Sequence, residues 1–424
     1  MSGQVTPIPN KNSLVAVLPA ALLTDKEMVY HRVPLTSDAQ KIIQILELLG
    51  AVVVRQGETV KVNCRRVNSW KIDAQLAGQF RASLMFVGPL LARFGRAQIP
   101  LPGGCDLGMR SIAAHVDSFR KAGVEMKQRG HFVSFTAPAS TGRHLRVWQL
   151  EASVTATENL ALFAAGTKQT VEIVDAASEP HVTDLINLLA AMGAGIEGTG
   201  SNHLVIKGGK LTGVQYHPRP DFVDIAGYIV AAAVTRGEIR LLGANIPDIV
   251  DGLINWFSLF NVVITRQNND LIVNGEQDLK LDLRQANIPL AAPNLPKLAP
   301  RPWPGFPVDL IPVMAVLGSR TKGRLLLQNW MYESGFEFVR ELNTLGADIF
   351  VADPQRIIIR GPVKFTGGEV SPPEVIQSVK AVFLAALCDP VTTTIHGVGI
   401  LRRRYPNIFD TYAKLGAQIS LIED

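Results

Sequence analysis

Leu188-Leu189-Ala190-Ala191-Met192-Gly193-Ala194-Gly195-Ile196 reads in two ways, and the fold turns on the choice. Continued through Glu197 to Gly198, it contains Gly-x-Gly-x-x-Gly, the fingerprint of a dinucleotide-binding turn. That fingerprint needs a strand before it and a helix after it, so that the pyrophosphate meets a helix N-terminus. Here an apolar helical run comes first and a strand-like run follows. The physical reading is therefore a helix closed by Gly193 in the left-handed conformation, and then a strand.

The same grammar returns along the chain, at residues 45–54, 119–126, 342–349 and 412–419 with Gly50, Gly123, Gly346 and Gly416 at the stop. At residues 256–264 the stop is Asn261. The copies are spaced by about 70 residues, longer than a solenoid repeat. In most of them a turn leads to a second strand, as Asp353-Pro354 does between 348–351 and 356–359. Six units of two helices and several strands predict an α/β (α+β) protein. A chain of 424 residues exceeds one ordinary core, so two or three domains are expected. His217-Pro218-Arg219-Pro220, after the third unit, is the expected break. The proline-rich segment 289–307 falls inside the fifth unit and reads as a long functional loop.

Composition narrows the class. Apolar residues make up 47% and charged residues 19%, as in a soluble globular protein. A net charge of +5 suits small anionic substrates and is too diffuse for nucleic acid. Cys64, Cys105 and Cys388 are odd in number and far apart, which argues for a reducing compartment rather than a disulfide framework. The eight histidines show no metal-binding spacing, so no metal is expected. Residues 13–23 are apolar and read as a buried helix rather than a leader peptide, and no run reaches the length of a membrane span. A cytoplasmic protein is expected.

One loop carries the chemistry. Leu101-Pro102-Gly103-Gly104-Cys105-Asp106-Leu107-Gly108-Met109-Arg110 places a thiol among glycines, with Arg81, Arg93 and Arg96 upstream. Nearby cations acidify a thiol and make it a proton donor or nucleophile near neutral pH. A buried, inert cysteine beside a structural turn fits the same residues, and both readings stand on this evidence.

Taken with the repeats, this loop makes the chain resemble the enolpyruvyl transferases, on the side of the family whose acceptor is UDP-N-acetylglucosamine. The likeness covers almost the whole chain. It runs through Arg81-Ala82-Ser83, residues 88–95, the Pro-Gly-Gly-Cys loop, Arg110 and His115. It continues through residues 153–160, Glu179-Pro180 with Asp184, Pro220-Asp221, Gly227-Tyr228 and Phe306-Pro307-Val308-Asp309. The resemblance implies two similar domains, each of three βαβαββ-like units (an inside-out α/β barrel). Residues 11–219, with the cysteine loop, would form one; residues 1–10 plus 220–424 the other; the active site would lie in the cleft between them. An N-terminus about ten residues short of the family norm implies a missing edge strand.

The implied chemistry moves the enolpyruvyl group of phosphoenolpyruvate onto a sugar hydroxyl by addition and elimination, which needs a general acid, a general base and a cationic cradle. By resemblance Cys105 is the proton donor or covalent carrier and Asp309 the base. Lys11, Arg81, Arg110 and Arg403 bind phosphoenolpyruvate, with Lys11 and Arg403 also counted as catalytic. Asn12, Arg110, Ser111, Ile112, His115, Ser153, Val154, Thr155, Asp309 and Met331 face UDP-N-acetylglucosamine. No cofactor, metal, nucleic acid or membrane is implied, and a monomer is expected. In isolation these residues have plainer readings: Arg402-Arg403-Arg404 a solvated cationic face, Lys11 an exposed lysine, Asp309 a helix cap, His115 a satisfied helix residue. Their joint registration with the family pattern outweighs those readings.

Four departures stand against the family pattern. Ala113 replaces an Asp, Glu151 a Lys facing the diphosphate, Gly335 an Arg, and Val375-Ile376-Gln377 an Asp-Leu-Arg loop that contacts phosphoenolpyruvate. Losing an arginine removes a charge-assisted bond of about 1.5–3 kcal/mol. The phosphoenolpyruvate half is thus expected to be kept in its core and the acceptor half altered. That leaves room for another sugar or nucleoside acceptor, or for a low-activity paralogue with a binding or regulatory role.

Overall fold

The structure, a computed structural model, describes residues 1–74, 76, 81–100, 112–138, 142–282, 295–332 and 335–422, with the Arg81 side chain left out. Cys105, Arg110 and Ser111 lie outside the described residues, as does the whole Pro-Gly-Gly-Cys loop. The chain divides into two compact units. Pro9–Cys105 with Met109–Arg219 forms the N-terminal unit, and Met1–Ile8 with Pro220–Asp424 the C-terminal unit.

In each unit the buried centre is helical. Lys11–Val17, Val87–Phe94 and Val154–Ala165 form it in the N-terminal unit. Phe222–Thr235, Ile311–Arg320 and Ile376–Ala386 form it in the C-terminal unit. These sequences are apolar on every face, so they are stable only where every face is covered. Residues 222–234, 311–319 and 378–385 are buried without interruption, as are 156–165. The outer helices are amphipathic. Ile42, Ile45 and Leu46 of Ser37–Leu48 are buried while Leu48 faces solvent.

Among the described residues each unit carries three small sheets around these helices. The third repeat shows the full pattern. His144–Trp148 pairs parallel with Thr170–Val174, His203–Lys207 runs antiparallel to it, and Gly195–Glu197 closes the edge. The fifth repeats it with Lys297–Leu298, Gly323–Gln328, Arg356–Gly361 and Asp348–Asp353. The proline-rich segment is therefore not all loop. It supplies an edge strand, and its Trp303 and Phe306 pack edge-on against Trp256.

Two strands come from far away in sequence. Gln215–Tyr216 supplies the parallel strand of the first sheet, beside Met28–Tyr30. Gly3–Val5 does the same for the fourth, beside Ile239–Leu241. The N-terminal strand expected to be missing is thus present. The sixth repeat departs the other way, since residues 417–422 form no strand.

The six helix stops behave as their chemistry requires. Gly50, Gly123, Gly193, Gly346 and Gly416 have φ between 82° and 115°, and Asn261 has φ 59°. Only glycine, or asparagine at some cost, reverses the chain there without strain. Helix Pro180–Met192 ends on Gly193 and Gly195–Glu197 follows as a strand, so the dinucleotide fingerprint is a helix stop. Residues 13–17 are buried in a helix, continued by the 3-10 turn Pro19–Leu23.

Candidate active site

In the N-terminal unit the start of the first helix is pinned from both sides. Asn10 caps it, its Oδ1 accepting the backbone N–H of Asn12 at 3.0 Å and of Ser13 at 3.2 Å. This fixes Lys11 at the first helical position, with Asn12 beside it. Lys11 Nζ lies 3.0 Å from Asp38 Oδ2, so it is not a free surface lysine. Ser13 turns inward and donates its hydroxyl to Asp184 Oδ2 at 2.5 Å, while Arg219 Nε donates to Asp184 Oδ1.

His115 is buried, and both ring nitrogens are engaged. The amide of Asn159 is oriented by Gly88, whose N–H donates to its Oδ1 at 2.6 Å, so Nδ2 donates to Leu84 O and to His115 Nδ1 at 3.3 Å. Nδ1 is then the acceptor, and Nε2 carries the proton offered to Thr155 Oγ1 at 2.9 Å. His115 thus donates to Thr155 at the opening of the next helix. Ser153, Val154 and Thr155 open the Val154–Ala165 helix, with no acidic residue in its first turn. Ile112 holds the corresponding place before Ala113–Lys121.

In the C-terminal unit Asp309 sits in the turn Val308–Leu310 and makes no capping hydrogen bond, so the helix-cap reading fails. Arg403 is half-buried at the end of the turn Val398–Arg403, and Met331 is exposed beside Trp330, whose indole N–H donates to Pro300 O at 2.9 Å. The arginine triplet is not one solvated face. Arg402 is exposed, but Arg404 is buried and clamps Asp221 with Nε at 2.9 Å and Nη2 at 2.8 Å. Its Nη1 reaches Asp309 Oδ2 at 3.8 Å.

Several charged groups went unsingled in the sequence. Glu158 is fully buried, and burial, then the negative charges of Glu179 and Asp184, raise its carboxyl well above the usual range. In the C-terminal unit Asp224 and Lys380 are buried together. Burial raises Asp224 against the pull of Lys380, and burial lowers Lys380 to about 8 against the pull of Asp224. Lys380 Nζ lies 4.4 Å and 4.5 Å from the ring centroids of Tyr412 and Tyr405. The legible signal is a charge inside an otherwise apolar helical run: Asp224 in Phe222–Val234, Lys380 in Ile376–Ala386, Glu158 in Val154–Ala165. The two described cysteines are unreactive by environment, since burial pushes the Cys64 thiol up to about 12 and the Cys388 thiol up as well. Among the described residues no cluster suited to a metal ion occurs, and no helix is long and apolar enough to cross a membrane.

Of the departures from the family pattern, Glu151 is exposed and Gly335 is boxed in. A Cβ at Gly335 would stand 2.1 Å from the side-chain nitrogen of Asn329, itself buried.

Sequence and fold together define an enolpyruvyl transferase: residues 1–412 match the family described as EPSP synthase (3-phosphoshikimate 1-carboxyvinyltransferase), and the chain belongs to it. Among its relatives, a UDP-N-acetylglucosamine 1-carboxyvinyltransferase of Bradyrhizobium diazoefficiens is 33% identical over 100% of this chain and 96% of its own length. Proteins of the same name from Borreliella burgdorferi and Treponema denticola are 32% and 34% identical, with 100% of this chain and 97% of each relative covered. Of solved structures, the enolpyruvyl transferase NikO from Streptomyces tendae superposes with a TM-score of 0.86 at 22% identity, covering 99% of this chain and 96% of that one. EPSP synthase from Acinetobacter baumannii gives 0.75 at 17%, covering 100% and 97%. The fold is that of the enolpyruvyl transferases, and the chain is a transferase.

Proposed function

We propose that this protein transfers the enolpyruvyl group of phosphoenolpyruvate to the 3-hydroxyl of UDP-N-acetylglucosamine, releasing phosphate, as the committing step of peptidoglycan synthesis in the cytoplasm. The observation that carries the reading is similarity along the full length to several relatives of that one name. The hydroxyl oxygen adds to C2 of phosphoenolpyruvate while C3 gains a proton. C3 then loses a proton, the C2–O bond to phosphate breaks, and the double bond re-forms. Cys105 supplies the proton or carries the phosphoenolpyruvate, and Asp309 takes the hydroxyl proton. Lys11, Arg81, Arg110 and Arg403 hold phosphate and carboxylate, which requires Lys11 and Arg403 to meet one substrate. Asn12, Ser111, Ile112, His115, Ser153, Val154, Thr155 and Met331 receive the sugar nucleotide.

A second reading, another sugar or nucleoside acceptor, is favoured by Gly335, where Asn329 fills the space a longer side chain would need. Phosphate release with phosphoenolpyruvate and a panel of acceptors decides. Release with UDP-N-acetylglucosamine supports the first reading. Release only with another acceptor transfers the function to that one, and none with any acceptor removes the enzymatic reading. Fosfomycin, an epoxide that alkylates a nucleophilic thiol, should add to Cys105 and spare Cys64 and Cys388. By mass spectrometry the adduct should vanish in Cys105→Ser, and no adduct at saturating drug counts against a competent site.

A further inference from the structure

Arg404 faces away from the role that its neighbour Arg403 is assigned. Its side chain is 5% exposed, and two of its three nitrogens are committed to Asp221. Asp221 is itself tied down. It is fully buried, and its Oδ1 accepts the N–H of Val223 at 2.9 Å as the cap of the Phe222–Thr235 helix. A planar guanidinium held at two points has a set direction for its third nitrogen, and it cannot shed its proton. That third nitrogen is Nη1, 3.8 Å from Asp309 Oδ2. Asp309 is 29% exposed, so Arg404 holds the closed side of its carboxylate and leaves the other side open. At 3.8 Å the contact is an ion pair rather than a hydrogen bond, a length that active-site contacts shorten when substrate binds.

The deeper charges complete the frame. Asp224 lies one turn along the same helix from Asp221, its Oδ2 accepting the N–H of Ile8 at 3.1 Å, and Lys380 supplies the opposing charge. Two buried acids therefore face two buried cations, and the balance leaves Arg404 able to serve Asp309.

We propose that Arg404 is a positioning residue for Asp309, fixing the carboxylate in place from a guanidinium that Asp221 locks. The proposal rests on the reading of Asp309 as the base. It assigns a role in orientation, not in binding phosphoenolpyruvate.

The test compares Arg404→Lys with the wild type in the full chain, in the native and Asp309→Asn backgrounds, with phosphoenolpyruvate and UDP-N-acetylglucosamine. Lysine keeps the charge beside Asp221 and loses the fork. We expect kcat to fall about tenfold or more with KM for phosphoenolpyruvate changed less than about threefold. In the Asp309→Asn background the same substitution should change kcat less than about twofold, because the group it positions is gone. Equal losses in both backgrounds, or a loss carried by KM, overturn the proposal. The same four proteins are compared by thermal unfolding without substrate, where non-additive shifts are expected and additive shifts overturn it. A wild type that releases no phosphate with this acceptor defeats the acceptor assignment, and the unfolding cycle still decides on Arg404.

Discussion

Among the described residues of the N-terminal unit the most completely buried carboxyl is Glu158, and the charged groups that act on it most strongly, Glu179 and Asp184, are acids too. In the C-terminal unit the fully buried carboxyls are Asp221 and Asp224, and they answer to Arg404 and Lys380. Both clusters sit on central helices apolar on every other face. In one, burial and neighbouring acids both raise the carboxyl; in the other, buried Lys380 pulls against the burial that raises Asp224. The contrast shows that a buried carboxyl does not define one electrostatic state. The partner set decides, because desolvation alone favours the neutral form. The paired arrangement places a buried guanidinium 3.8 Å from the carboxylate of Asp309.

The largest expected effect comes from unbalancing the paired cluster. Lys380→Met leaves Asp224 buried without its cation and should cost about 3–5 kcal/mol at neutral pH in denaturant unfolding. Adding Asp224→Asn should recover much of that. The folded Asp224 carboxyl is raised, so the penalty in Lys380→Met falls as pH drops toward its ordinary value near 3.8. A single variant no less stable than the double would break the comparison.

Packing around the two helix sets differs in the same spirit. A Cβ on Gly88 would stand 2.1 Å from the backbone oxygen of Asn159, so the two helices would have to part. Gly88→Ala should cost about 3 kcal/mol, and with it the His115–Asn159 contact, visible as a changed imidazole proton resonance. Unchanged stability and resonance would refute the close approach.

Glu158→Gln should act with the opposite sign. Glu158 has a raised folded pKa, so its protonated state is fully compatible with folding at low pH, and stability is lost as pH rises above the unfolded value near 4.5. Glutamine needs no proton, so the variant should gain about 1 kcal/mol at pH 7, shrinking to nothing near pH 4.5. A loss that grows with pH would mean the acid is ionised and paired.

The smallest effect is expected at Gly227. A Cβ there meets Lys380 Cε at 3.0 Å, a flexible arm rather than backbone. Gly227→Ala should change stability by less than about 1 kcal/mol, since the helix gains what the crowding loses.

Much of this was legible before any coordinates. The helix stops at Gly50, Gly123, Gly193, Asn261, Gly346 and Gly416 declare themselves, because a left-handed backbone position is a local demand that few residues meet. The strand pairs that follow are local too. Other features were not legible. Gly3–Val5 and Gln215–Tyr216 are too short and unpatterned to announce strands, and each is a strand only because a distant edge receives it. The arginine triplet looked uniform, yet Arg404 is buried and Arg402 is not. His115 could be named as a candidate, but its bond to Thr155 depends on an amide 44 residues away.

By itself the sequence determined the repeated unit, the buried helical runs and the family, since these rest on periodicity, turn chemistry and motif residues read within a few positions of one another. Only the tertiary structure decided which strands close each sheet, which acid is paired with which cation, and that the buried Arg404 reaches Asp309. Those outcomes depend on distances between groups far apart in sequence, and a charge buried at one place has its energy set by whatever the fold brings beside it.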